Sequence, residues 1–151
     1  MRDYRPADFP RVCEIDRACF EAKVAYSAAE MSSALRARGS LALVAENSKG
    51  DVVGFLVTHG GHIITLDVLP RYRQRGIGRK LLVCCEKRLC AAGVRAIHLE
   101  TADRNRAAQA LYVSLGYTFV KRLPRYYATG EDGWLMKKAL DVRPKAAART
   151  G

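Results

Sequence analysis

With 151 residues, 49% of them hydrophobic, the chain is the size of one domain with a single core, and no apolar run approaches the roughly 20 residues of a membrane span. The opening "MRDYRPADFP" is too charged for a secretory signal, so a soluble, cytoplasmic protein is expected. A net charge of +11 suits an anionic ligand or partner, but the basic residues are dispersed rather than set in a stripe with aromatics, which argues against direct nucleic-acid binding.

"MRDYR" reads as a short first strand. Asp8 is expected to cap a helix running to about Phe20, with Pro10 tolerated in its first turn. After the loop "EAKVAY", Ser27 and Glu30 form a capping box that opens a second helix, stopped by Gly39. "SLALVAE" and "VVGFLVTH" read as strands joined by the turn "NSKGD", and "HGGH" leads tightly into a third strand, "IITLDV". These three strands predict an antiparallel meander. Beyond Gly78, residues Leu81, Leu82, Cys85, Leu89 and Ala92 share one helical face, and Gly93 closes that helix. "RAIHLET", "NRAAQALYVSL" (ended by Gly116) and "YTFVKR" then read as strand, helix and strand, which implies parallel pairing in this half. "GWLMKKAL" is the last strand. One domain is expected over residues 1–140, followed by a basic tail over 141–151 that reads as disordered. The five cysteines show no CxxC spacing, so reduced thiols are expected, with neither a metal site nor a disulfide framework.

The most informative stretch is "LDVLPRYRQRGIGRKLL", Leu66 to Leu82. A strand passes into a helix through a turn holding Arg71, Arg73, Arg75, Gly76, Gly78 and Arg79. Free N–H groups and the helix dipole favour an anion at such a terminus, and glycine lets a phosphate approach the backbone. The string is not a Walker A loop, and Leu81 stands where a dinucleotide fingerprint needs its third glycine.

Arg73, Gly76 and Gly78 do match [RQ]xxGxG. Preceded by "LDVLP", that motif resembles the acetyl-CoA site of the GNAT acetyltransferase superfamily. "LETADRNRAAQALYVSLGY", Leu99 to Tyr117, resembles the strand–Asn–helix segment of the same superfamily. With "RYYATGEDGWLMKK", it is most similar to the ribosomal-protein-alanine N-acetyltransferases and other enzymes that acetylate protein N-termini. The resemblance covers about residues 1 to 140. It implies a single α/β domain with a mixed, splayed sheet flanked by helices, acetyl-CoA as cosubstrate, an amine acceptor such as a protein N-terminus, and a monomer or weak homodimer.

Residue by residue, the resemblance implies that Gln74, Arg75, Gly76, Ile77, Gly78 and Arg79, with Arg73, hold the coenzyme A pyrophosphate. Leu66, Asp67 and Val68 line the acetyl and pantetheine arm, the Val68 N–H facing the thioester oxygen, and Asn105 contacts coenzyme A while capping its helix. Asp67 departs from the small or apolar residue expected there. Glu100 corresponds to the general base, its pKa expected to be raised by partial burial, and Tyr112 to the acid that protonates the thiolate. The alternatives are a structural carboxylate at Glu100 and a core tyrosine at Tyr112. His98 shares the strand face of Glu100 and reads as a satisfied core histidine or part of a relay. Tyr26, Arg125, Tyr126 and Tyr127 are the expected acceptor-binding residues; "EAKVAYSAAE" lacks the family's Pro/Trp pair and leaves Tyr26 as its aromatic. The other functions weighed are a small-molecule amine acetyltransferase and a non-catalytic coenzyme-A-binding module.

Overall fold

The computed structural model describes residues 1–141; the tail expected over 141–151 lies outside them except for Asp141. Seven strands form one sheet in the order β1-β2-β3-β4-β5-β7-β6, with four α-helices. In chain order these are β1 (Arg2–Asp3), α1 (Phe9–Cys19), α2 (Ala28–Arg36), β2 (Ser40–Glu46), β3 (Val52–His59), β4 (His62–Val68), α3 (Ile77–Ala91), β5 (Ala96–Ala102), α4 (Arg106–Ser114), β6 (Thr118–Leu123) and β7 (Gly133–Ala139). Alternation along the strands creates two cores. Leu43 and Leu56 face α3, whose Leu81, Leu82, Cys85 and Leu89 are buried, whereas Val44, Phe55 and Val57 face Val12, Ile15 and Met31 of α1 and α2.

The meander β2–β3–β4 forms as expected, with antiparallel pairing throughout. Two expectations need correction. Asp8 does precede α1, but its carboxylate does not cap that helix; it accepts from the Arg5 N–H at 2.8 Å and from two Arg2 nitrogens at 2.9 Å. A guanidinium fork binds a carboxylate more strongly than one amide does, and it ties β1 to the start of α1. The second half is also not a parallel array. Only β4 and β5 pair in parallel, while β7 lies between β5 and β6 and is antiparallel to both. Residues 124–132 turn β6 back as a hairpin, so β7 fills the slot beside β5.

The β4–β5 junction positions everything that follows. The two strands share a single registered pair, His62↔His98, whereas β5 and β7 share seven. From that pair β4 and β5 diverge toward Val68 and Ala102. The N-terminus of α3 follows β4 and that of α4 follows β5, so both helices begin at the open end of the cleft.

Candidate active site

Two cavities occupy the cleft. One, of about 430 Å³, runs along Leu66, Asp67 and Val68, past Arg73, Gln74 and Gly76 to Arg79, with α4 as its far wall. The other, of about 630 Å³, lies between β4, β5, the α1–α2 loop and the hairpin before β7, and includes Tyr26, Glu100, Tyr126 and Tyr127. Cys19, Phe20, Leu66, Asn105, Ala108 and Tyr112 line both. A ligand in each cavity would therefore meet the other beside Tyr112.

The first cavity suits an anion with an extended apolar arm. No side chain caps α3, and its first internal bond runs from the Lys80 N–H to the Gly76 carbonyl. The amides of Ile77, Gly78 and Arg79 therefore have no helical acceptor. Gly76 has φ +81°, and a Cβ there would point into open space; at Gly78 a Cβ would instead sit 3.4 Å from Leu111 of α4. One glycine thus sets the turn, and the other lets α4 approach. Gln74, at φ 61°, also adopts the left-handed conformation. Arg73 Nε donates to the Val68 carbonyl at 3.0 Å, bracing the end of β4, and Arg79 donates to Ser114 Oγ across the cavity at 2.7 Å. Arg75 does not line this cavity: its guanidinium lies 5.2 Å from the Tyr72 ring centre, with Arg71 at 5.4 Å. Cation–π stacking turns it away from the expected position.

Asp67 also departs from expectation. Its carboxyl is buried beside Asp16 of α1 and accepts from Thr65 Oγ1 at 2.6 Å. Asp67 Oδ2 and Asp16 Oδ1 are both buried without a hydrogen-bond partner, and one proton carried by Asp67 would satisfy the pair. Burial and the neighbouring Asp16 push the Asp67 carboxyl well above the usual carboxylate range. It therefore braces α1 against β4. Asp16 Oδ2 accepts the Tyr26 N–H at 2.7 Å, and Tyr26 Oη reaches the Ile64 carbonyl at 3.4 Å, which fixes this aromatic over the second cavity.

Glu100 stands half-buried in the second cavity, bound on two sides. His62 Nε2 lies 2.8 and 3.0 Å from its two oxygens, and Tyr126 Oη donates at 3.0 Å. Burial alone would raise its pKa, but the bond and charge of His62 and the Tyr126 hydroxyl outweigh it and hold Glu100 below its ordinary value. The expected upward shift is therefore reversed. His62 was not legible as a site residue, because only the β4–β5 pairing brings it beside Glu100, 38 residues away. His98 is no core histidine: it is exposed, and its ring stacks on that of His62 at 4.4 Å and 7°.

Tyr112 is buried, and burial, with the Asp67 carboxyl nearby, pushes its phenol up so that it keeps its proton. Asn105 caps α4 through the Ala108 N–H at 3.1 Å. Gln109 donates to the carbonyls of Ala102 and Asp103 at 3.0 and 2.9 Å, holding the β5–α4 turn. Tyr126 and Tyr127 meet edge to face at 5.0 Å. Arg125 is absent from the cavity wall; its backbone, at φ 49° with its N–H on Asp132, forms the turn that presents the two tyrosines.

The Acetyltransferase (GNAT) family profile matches residues 9–117, and the chain belongs to that family. It is 40% identical over 81 residues to an N-alpha-acetyltransferase of Sulfurisphaera tokodaii, a match covering 53% of this chain and 48% of the relative. The chain spans about half or less of the length of the first curated relatives it matches. The ribosomal-protein-S18-alanine N-acetyltransferase of Escherichia coli superposes with TM-score 0.83 and 25% identity, covering 95% of this chain and 94% of that one. Arabidopsis thaliana NAA60, crystallised with acetyl-CoA, shares the fold at TM-score 0.79 and 20% identity, over 92% and 97% of the two chains. No helix among the described residues is long and apolar enough to cross a membrane.

Proposed function

We propose that this protein transfers the acetyl group of acetyl-CoA to a primary amine, the N-terminal α-amine of a protein. The observation that carries the reading is the meeting of the two cavities at Tyr112: an uncapped helix terminus lies along one, and a half-buried carboxylate ringed by tyrosines lies in the other. The fit to the cosubstrate rests on the open space at Gly76 and the apolar wall of Leu66, Val68, Ala108 and Leu111. The free amides of α3 would take the pyrophosphate, and Val68 would present its N–H to the thioester oxygen, where negative charge develops.

Glu100 accepts the proton of the incoming ammonium, directly or through one water, because only the neutral amine attacks. His62 and Tyr126 hold the carboxylate in place. Tyr112 donates a hydrogen bond or proton to the leaving sulfur, and its raised pKa keeps the hydroxyl protonated across the working range. Tyr26, Tyr126 and Tyr127 line the second cavity, which would take the peptide. The aromatic faces favour a peptide, and Glu21, Glu100 and Glu131 on the same wall suit the positive charge of its N-terminal ammonium.

Thiol release from acetyl-CoA, measured against peptides of varied N-terminal residue and a panel of amino acids, polyamines and aminated drugs, tests the acceptor. Turnover on peptides well above that on small amines is expected. Turnover confined to one small amine would replace the acceptor and leave acetyl transfer standing. Cytoplasmic location and a monomeric or weakly dimeric state belong to the same reading.

A further inference from the structure

The geometry points to a divalent transition-metal site at His62, His98 and Glu100, which takes Zn²⁺ and blocks the acceptor side of the cleft when filled. The inhibitory half of this rests on Glu100 being the base; the binding half does not. His62 and His98 are the one registered pair of β4 and β5, and Glu100 is two residues further along the same face of β5. One donor atom from each of the three lies within 4.8 Å of the others. His62 Nε2 already stands 2.8 and 3.0 Å from the Glu100 oxygens, with a proton between them.

Two imidazoles and a carboxylate are a borderline, nitrogen-rich donor set that suits Zn²⁺ over Mg²⁺ or Ca²⁺. Bonds of about 2.0–2.1 Å in a tetrahedral arrangement put ligand atoms roughly 3.3 Å apart. The His62–Glu100 separations fall just short of that value, and a His98 nitrogen lies within 4.8 Å of both partners. His62 and Glu100 must part slightly as the ion takes the place of the shared proton. His98 must turn its ring out of the parallel stack so that its nitrogen converges on the ion. That rotation is open to it because it is exposed and no hydrogen bond to its side chain ties it among the described residues. The fourth position would remain open to water or to the acceptor amine.

The cysteine spacing gave no reason to expect a metal. These ligands come instead from two strands, 36 and 38 residues apart in sequence, and converge only where the sheet begins to splay. Occupancy would remove Glu100 from proton transfer and plug the acceptor cavity without touching the coenzyme A turn. Inhibition by Zn²⁺ should therefore compete with peptide and leave acetyl-CoA binding unchanged.

Co²⁺ is the direct probe, added to the 151-residue protein without acetyl-CoA. Visible d–d bands of four-coordinate Co²⁺, bleached by Zn²⁺ and free of a thiolate charge-transfer band, are expected. The last feature separates this site from Cys19 and the other free thiols. His98→Gln should weaken Co²⁺ binding and raise the Zn²⁺ concentration for half-inhibition by about tenfold or more. Inhibition is read for each protein relative to its own turnover in chelator. Absence of the bands, a thiolate band, or unchanged metal affinity in His98→Gln would each overturn the site. Metal binding that depends on His98, in a protein with no acetyl transfer, would support the site and count against the functional reading instead.

Discussion

At the scale of single residues the proposed chemistry rests on two side chains with opposite tasks. Glu100→Gln keeps the shape and loses the basicity, so kcat/KM should fall by about 10²- to 10⁴-fold. A loss under roughly tenfold would mark Glu100 as structural. Tyr112→Phe should slow turnover while acetyl-CoA affinity, measured by calorimetry, stays within about twofold, because ring packing is retained and only the hydroxyl is lost. Asp67 makes a different prediction. Its carboxyl, raised by burial and by Asp16, keeps a proton in the folded state that the unfolded chain releases near the ordinary carboxylate range. Its contribution to stability is therefore complete below that range and declines as pH rises toward the folded-state value. Asp67→Asn removes this titration, so its unfolding free energy in urea should gain on the parent protein as pH rises above the ordinary carboxylate range. A difference that stays flat with pH would mean the Asp67 carboxyl is not raised by its surroundings. The roles proposed for Glu100 and Tyr112 could be read from motif positions. The environment of each could not, because His62, Asp16 and Tyr126 reach them only through tertiary contacts.

At the scale of elements, the turn into α3 and the β4–β5 junction decide whether the site exists. Gly76→Val imposes a branched side chain on a positive φ and fills the space beside the first amides of α3. Coenzyme A affinity should fall at least about tenfold by titration calorimetry, and unchanged affinity would remove the anion site. At Gly61 a Cβ would run into the carbonyl oxygen of Ala96, next to the lone β4–β5 pair. Gly61→Ala should thus cost about 1–3 kcal/mol of stability, read by chemical denaturation, and spread the cleft. Helix and strand identities were legible because periodicity and caps are local signals: the Ser27–Glu30 box and the strands Ser40–Glu46 and Val52–His59 fall where the sequence puts them. Pairing order was not. The alternation of strand and helix after Gly78 carries no sign that β7 would insert between β5 and β6, since that choice depends on which exposed edge the hairpin can reach. Arg75 and Arg125 were misplaced for a related reason. Both sit in the right loop, but a ring stack and a backbone turn direct their side chains elsewhere.

For the whole molecule, the layered sheet offers an anion-binding helix terminus and a tyrosine-lined groove on either side of one buried phenol, and acetyl transfer to a protein N-terminus is the proposal that uses all three. Net charge did not identify the ligand, because +11 spread over the surface describes a field and not a site. The most direct test of that proposal is a single peptide carrying a free α-amine and an internal lysine, incubated with acetyl-CoA and mapped by tandem mass spectrometry, beside the same peptide with its N-terminus blocked. The proposal predicts one acetyl group on the α-nitrogen of the free peptide and no turnover of the blocked one. Equal acetylation of both peptides on lysine, or turnover of neither while small amines react, would contradict it.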